Sequence, residues 1–389
     1  MQNNNPKQQG KSFNVVVLFS LGVPLKLWQE KGLAAREQSY YDRFIAKGHQ
    51  VSLLSYGKDD MQYADSWHPI NILPWLGKIN HFVKYACVAP FYHRSAFKQA
   101  HIVKSNQSQG SLVGVIAKLV NPKLKFILRC GWVRTKEVIK NEEQRTGIKY
   151  YRAVFFEWLA VKLANAIIVV TQSDANYLIE HYSANKNKIH IIPNSIDTDC
   201  YQYVPSGFSE GKPIKILLVG RLVAAKNFDK VFQAVAQLER DIEINIAGDG
   251  DYRQALEQEA QELNVNATFV GSVPNDELAT LYSEHDLVIM PEAWGSGMPK
   301  VVLEAMASGA IIIASNIRSV RQLLRDGENG FICEPNIHSI HKNLEKVLSM
   351  SDESLHIITK AARDEIDSRY SMQACVEKEL ALFERLYKH

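Results

Sequence analysis

The chain has 389 residues, 46% apolar and 22% charged, with a net charge of +3; that length suits two domains and excludes a chain too polar to build a core. No apolar run approaches the roughly 18 residues of a membrane span, and the first residues lack the apolar stretch of a secretory leader, so a cytoplasmic location is expected. Residues 1–200 hold 26 Lys and Arg against 14 Asp and Glu, and residues 201–389 hold 19 against 28, so the basic first half is expected to face something anionic: a lipid surface, a phosphorylated acceptor or a nucleic acid.

Residues 1–12 are polar and without periodicity, which predicts disorder. "FNVVVLFSLG" then reads as a buried parallel strand ending in a loop at Gly22. A helical stretch runs from about Leu33 to Lys47, and "GHQVSLLSYG" gives a helix stop and a second strand. Further strands are predicted at "AHIVKSN", "KFILRCG" and "AIIVVTQ", with helices at "GSLVGVIAKLV" and "RAVFFEWLAVKLA". Strands alternating with helices imply a parallel sheet covered on both faces.

The plan repeats after a linker near "IIPNSIDTDCYQYVPSGFSEGKP", rich in Pro, Gly and Ser. "PIKILLVGRL", "IEINIAGDG", "NATFVGSVP", "DLVIMPEA" and "AIIIASN" are predicted strands. "NFDKVFQAVAQL", "DYRQALEQEAQEL", "NDELATLYSEH" and "KVVLEAMASG" are predicted helices, the last stopped by Gly309. A final helix, "SMQACVEKELALFERLY", has no strand after it and is free to pack on either half. The expected domains are therefore residues 13–200 and 201–370, each Rossmann-like, followed by a helix over 371–389. The five cysteines are far apart and odd in number, without metal or redox spacing, so they read as reduced and mostly core. The histidines form no HExxH-like set.

In open α/β sheets ligands bind outside the carboxyl ends of the strands. Gly22, "GRL", "AGDG" and "PEAWGSGMP" all lie at such ends. The last runs into a helix where Glu304 sits among Val301, Val302, Leu303, Ala305, Met306 and Ala307. An ionised carboxylate in that company requires a partner, either structural or a ligand. In "VGRLVAAKN", Arg221 and Lys226 follow a buried strand five positions apart. Two cations beside helix-terminal amides suit a diphosphate, and equally describe a pair of solvated surface charges. "AGDG" is a tight turn that lacks the third glycine of the dinucleotide fingerprint.

Taken in order, "GRL…KN", "AGDG", "GSVP" and "SGMPKVVLEAMASGA" resemble the donor half of the GT-B glycosyltransferases, family four. "PNSID" at 193–197 is similar to that family's approach to its second domain. The resemblance implies two Rossmann-like domains with parallel sheets facing a central cleft, and a UDP- or GDP-linked sugar as donor. It implies transfer with retention of anomeric configuration, and neither a metal nor another cofactor. Arg221 and Lys226 would hold the diphosphate. Glu304, the second glutamate of an E-x7-E element, would receive the ribose hydroxyls. Amides around Gly297, Met298 and Pro299, with Val301 beside them, would approach the sugar. The base would lie near Val270 to Pro274, including Val273. Gly22, Gly220 and Gly248 would let backbone come close to the donor.

The sequence departs from the family pattern twice. The first glutamate of E-x7-E falls at Ser296, with Glu292 four positions earlier as a candidate replacement. Where many relatives have a cleft histidine, this chain has Arg129, Cys130, Gly131 and Trp132. Arg129 and Asn106, in the first half, are further candidate site residues.

Residues 67–104 interleave aromatics with cations, among them Trp75, Lys78, Phe82, Lys84, Phe91, Tyr92, Arg94 and Lys98. Such a stretch fits a core-facing helix pair with a solvated basic face, or an interface with anionic lipid. A nucleic-acid surface looks similar, but no nucleic-acid module is present and none is expected as partner. The expected activity is a retaining glycosyltransferase of bacterial cell-surface polysaccharide or glycolipid synthesis, peripheral on the inner face of the plasma membrane. Its acceptor would be a saccharide or a lipid-linked saccharide. The rival readings are another enzyme on this architecture, such as a nucleotide-sugar epimerase or a phosphorylase, and an inactive sugar-nucleotide binder.

Overall fold

In the computed structural model, residues 11–30, 34–131, 133, 148–208, 211–293 and 298–388 are described. The expected disorder of residues 1–12 falls almost wholly outside them, as do Trp132, Ser296 and Gly297. The chain divides into two compact units, one of residues 1–194 with 375–389 and one of residues 195–374.

The first unit runs β1 (Asn14–Leu18), α1 (Leu25–Glu30), α2 (Ala34–Ala46), β2 (Gln50–Leu54), α3 (Ala64–Trp67), β3 (Asn71–Leu73), α4 (Phe82–Tyr92) and α5 (Arg94–Gln99). It continues with β4 (Ile102–Ser105), α6 (Ser111–Val120), β5 (Lys125–Cys130), α7 (Ile148–Leu163), β6 (Ala166–Val169), α8 (Gln172–Tyr182) and β7 (Ile189–Ile191). The seven strands form one parallel sheet in the order β3-β2-β1-β4-β5-β6-β7. The central strands are buried end to end: β4 and β6 show no exposed position. That is why they read in sequence as continuous apolar runs rather than alternating ones.

The second unit runs β8 (Ile214–Val219), α9 (Phe228–Val235), β9 (Ile242–Ala247), α10 (Arg253–Glu262), β10 (Ala267–Gly271), α11 (Asn275–Ser283), β11 (Leu287–Met290), α12 (Lys300–Ser308) and β12 (Ile311–Ser315). Then come β13 (Phe331–Cys333), α13 (Ile337–Leu348) and α14 (Asp352–Glu365). Its six strands are also parallel, ordered β10-β9-β8-β11-β12-β13. One apolar cluster gathers Leu218, Phe232 and Ile246 with Ile289, Ile313 and Leu344 on one face of this sheet. Another gathers Leu217, Tyr282 and Met290 with Leu303 and Ile312 on the other. Each buried Leu, Ile or Phe contributes roughly 1.5–3 kcal/mol of transfer free energy.

In both sheets the chain winds outward in one direction and then returns to the first strand's other side. The order therefore reverses between β1 and β4, and again between β8 and β11. A crevice opens at the carboxyl ends of strands at such a reversal.

The last helix, α15 (Met372–Lys388), lies from Cys375 onward with the first unit. Its Phe383 meets Phe13 edge-on at 6.0 Å between centroids. Its Glu379 forms an ion pair with Lys104 of β4, both side chains 1% exposed. The Tyr40 hydroxyl donates to the same carboxylate at 2.8 Å. Lys104 also lies 5.3–5.8 Å from the ring centres of Tyr40, Tyr41 and Phe44. Burial pushes the Lys104 ammonium below its ordinary pKa, and Glu379 opposes that shift.

Cys130, Cys333 and Cys375 are core residues, as expected of most of the five, and Cys87 and Cys200 are exposed. Residues 67–104 do form helices with a core face, burying Tyr85, Ala86, Ala89 and Phe97. They also leave Phe82, Phe91 and Tyr92 in solvent, so core packing accounts for only part of that aromatic stretch.

Candidate functional site

Beside the reversal of the second sheet, the ends of β8, β9 and β10 are laced by backbone hydrogen bonds. The Gly220 amide donates to the Ala247 carbonyl at 2.9 Å and the Gly248 amide to the Gly271 carbonyl at 2.7 Å. The Leu222 amide donates to the Asp249 carbonyl at 3.0 Å. Gly220 and Gly248 both have φ near +150°, a region that side chains rarely enter. A Cβ on Gly248 would stand 1.8 Å from the Gly220 carbonyl oxygen. Glycine at 248 thus lets the two strand ends approach this closely.

Arg221 follows directly and is exposed. A short 3₁₀ turn, Ala224–Lys226, leads to Asn227, which adopts a left-handed conformation with φ 52°. The Asn227 side chain donates to the Pro291 carbonyl at 2.8 Å, which fastens this loop to the end of β11. Lys226 is turned toward that strand end, where its ammonium pairs with the Glu292 carboxylate. Both side chains are mostly buried, at 23% and 15% exposure. A Cβ on Gly220 would approach the Lys226 side chain at 3.2 Å, so the lysine stem lies across the glycine.

From β11 the chain passes through Met298 and Pro299 into α12. Met298 and Val301 are half-buried against the core cluster on their side of the sheet, as is Val273 after β10. Val302, Leu303, Ala305, Met306 and Ala307 are buried, and Glu304 is half-buried among them. Its structural partner is Tyr282 of α11, whose hydroxyl donates to Glu304 Oε2 at 2.9 Å. Tyr282 is fully buried. Burial and the adjacent Glu304 push its pKa well up, so the phenol stays a donor. A charge expected to find its partner in ligand hydroxyls therefore also has one in the protein. Gly309 ends α12 at φ +86°, and a Cβ there would strike the Val204 carbonyl oxygen at 2.5 Å.

The first unit has a corresponding edge. Gly22 lies four residues past β1 with φ +79°, packed near the Phe82 ring. Asn106 follows β4 and is 6% exposed. Its amide donates to the Leu18 carbonyl at 2.8 Å, while its side-chain oxygen has no hydrogen-bond partner among the described residues. Arg129 is half-buried near the end of β5 and reaches Asn194 Oδ1 at 3.5 Å. Burial works against its charge, but Tyr40 and Glu379 outweigh it, and the guanidinium pKa is raised. A cavity of about 410 Å³ opens beside this edge. Leu21, Phe82, Leu112 and Phe156 give it apolar walls, and Ser108 and Arg152 add polar groups.

Of the residues expected from the sequence, Gly220, Arg221, Lys226 and Gly248 follow β8 and β9, Met298 and Pro299 lead into α12, Glu304 lies on α12 itself, and Gly22, Asn106 and Arg129 belong to the first unit. Sequence reasoning missed Tyr282 and Asn227. Tyr282 lies 22 positions before Glu304 on another helix, beyond any local spacing signal. Asn227 carried a signal, since Asn is one of few residues that tolerate the left-handed region. Glu292, a candidate for the missing glutamate at Ser296, is engaged by Lys226. Among the described residues no three His, Cys, Asp or Glu side chains gather as a metal would require.

Comparison with known proteins gives a consistent answer. The family model "Glycosyl transferases group 1" matches residues 203–365 and "Glycosyltransferase Family 4" matches residues 39–200. An uncharacterized glycosyltransferase of Haemophilus influenzae is 31% identical over 212 residues, which is 51% of this chain and 58% of that protein. The chain thus spans little more than half the length of that relative. A glycosyltransferase structure from Rickettsia africae superposes with a TM-score of 0.75 at 16% identity, covering 98% of this chain and all of the other. The structure of Anabaena HepE in complex with UDP superposes with a TM-score of 0.71 at 18% identity, covering 97% and 100%.

Proposed function

We propose, on the premise that this chain is a glycosyltransferase of the group 1, family 4 kind with the GT-B fold, that it moves a sugar from a uridine or guanosine diphosphate donor to a saccharide or lipid-linked saccharide acceptor with retention of configuration. The observation that carries the donor assignment is the close-packed glycine edge of the second unit with cations beside it. There Gly220 and Gly248 let two strand ends close on each other, Arg221 and Lys226 follow β8, and Glu304 lies on the helix that follows β11. The UDP held by the Anabaena neighbour supports a uridine nucleotide.

In this reading the diphosphate meets Arg221 and Lys226, and the ribose hydroxyls donate to Glu304, whose position Tyr282 fixes. Breaking the anomeric C–O bond leaves negative charge on the diphosphate and positive charge on the sugar. Cations already in place stabilise the first without reorganising, which is commonly the largest catalytic contribution. The acceptor hydroxyl attacks from the face the diphosphate leaves, and the departing phosphate oxygen takes its proton. That order retains configuration without a protein nucleophile. Metal independence belongs to the same proposal. So does work on cell-surface polysaccharide or glycolipid at the cytoplasmic side of a membrane, which the basic first half supports.

The test is transfer and donor hydrolysis by wild type, Arg221→Ala and Lys226→Ala, with and without lipid extract. Losing a transition-state cation lowers turnover by roughly 10²–10³, with melting temperature little changed. Unchanged turnover in both variants overturns the assignment.

A further inference from the structure

The first unit carries a surface that the donor and acceptor edges leave unused. Helices α4, α6 and α7 pack side by side. Their outward residues include Phe91 and Tyr92 on α4, Leu119 and Val120 on α6, and Phe155 and Trp158 on α7, each 41–61% exposed. On α7 exposed Tyr151, Phe155 and Trp158 recur at i, i+4 and i+7, a single ridge along the helix. Phe155 and Trp158 have ring centroids 6.1 Å apart. Large side chains exposed singly are ordinary, but a run of them across three adjacent helices marks a surface that meets a partner.

Among the described residues, the exposed charges on α4, α5, α6 and α7 are all positive, and Glu157 of α7 is buried. From Ser66 to Lys136 the sequence has no Asp or Glu and 11 Lys and Arg. Lys104 and Arg129 are taken up in the interior, while Lys84, Arg94, Lys98 and Lys123 are exposed. Between α4, α5 and α6 a groove of about 410 Å³ is lined by Pro90, Phe91, Phe97 and Val120 together with Arg94 and Lys98. An apolar floor beside cations fits an acyl chain below an anionic headgroup. Nucleic acid would use the cations but would leave Leu119 and Val120 without a role.

We propose that the outer face of α4, α6 and α7 docks on an anionic bilayer surface. Phe91, Phe155 and Trp158 enter the headgroup boundary and Arg94 and Lys98 meet lipid phosphate. This deepens the proposed membrane association by naming the face, and does not depend on the donor assignment.

The experiment is cosedimentation of the full chain with phosphatidylcholine vesicles, with and without phosphatidylglycerol, at low and high salt. Donor hydrolysis is read in parallel. Wild type is expected to partition onto the anionic vesicles and to be released by salt. Arg94→Ala with Lys98→Ala is expected to weaken partition about thirtyfold, some fivefold per cation. Phe155→Ala with Trp158→Ala weakens it at least about tenfold. Donor hydrolysis stays at wild-type level in every variant, which shows that each is folded. Failure of wild type to bind any vesicle overturns membrane association itself. Wild-type binding undiminished in both double variants overturns this face while leaving the association standing. Salt-sensitive binding to any polyanion, unaffected by Phe155→Ala with Trp158→Ala, identifies a nucleic-acid surface instead. Dimerisation abolished by that same pair, without lipid binding, identifies a contact between copies.

Discussion

Replacing Glu304 with Ala removes the carboxylate offered to ribose and strands the buried Tyr282 hydroxyl, which alone costs about 1–3 kcal/mol. Glu304→Gln separates the two effects, because its amide oxygen still accepts from Tyr282. We expect Glu304→Gln to melt within a few degrees of wild type and to bind UDP at least tenfold more weakly by calorimetry. A glutamine variant with wild-type affinity would leave Glu304 a purely structural partner of Tyr282. Lys226 gives a second residue-scale prediction. Its pairing with Glu292 offsets charge that a diphosphate would otherwise meet. Glu292→Gln removes about 1 kcal/mol of such competition and should tighten UDP binding several-fold; weaker binding would instead mean that Glu292 touches the donor. At this scale the sequence showed where glycines, cations and one odd carboxylate stood. It did not show their protein partners, because Tyr282 and Glu292 reach them across the fold.

The elements themselves were largely readable, since buried parallel strands and amphipathic helices leave strong periodic signals. Strands β3, β7 and β13 and helices α1, α3, α8, α13 and α14 went unread. Each of those strands is three residues long, α1 and α3 are six and four residues, and α13 and α14 follow β13 without the repeating strand–loop–helix cue. The destination of α15 was also open. A lone lysine inside the buried strand "AHIVKSN" demanded an anion, and Glu379 on the apolar face of α15 supplies it. Breaking such a buried pair from one side costs about 3–5 kcal/mol. Glu379→Ala should therefore lower the melting temperature sharply, and Lys104→Met with Glu379→Leu should recover much of the loss in a thermal scan. A second element-scale effect lies at the end of α11. His285 is 4% exposed, with Nδ1 against the Leu281 carbonyl and Nε2 against the Asn245 side-chain amide. Burial holds its pKa below 6.5. The unfolded chain therefore takes up the proton first as pH falls, and stability drops as pH descends from 6.5 through the lower folded value. His285→Gln should flatten the fall of melting temperature over that interval; an unchanged slope would place the titration elsewhere.

For the whole molecule, the same winding twice over was legible, because each half repeats strand, loop and helix with a glycine at the first strand end. The uneven charge was equally plain, and the docking proposed for α4, α6 and α7 would give it a use. Chelator should leave transfer intact, and complete loss with EDTA that added metal restores would contradict the metal-free part of the proposal. The central claim is that the edge of the second unit holds a nucleoside diphosphate through cations at one end and a carboxylate at the other. Calorimetric titration of UDP and of uridine into wild type, Arg221→Ala with Lys226→Ala, and Glu304→Gln tests it most directly. The account predicts that the cation variant loses affinity for UDP but not for uridine, and that Glu304→Gln loses affinity for both. Equal UDP binding by all three proteins would contradict it.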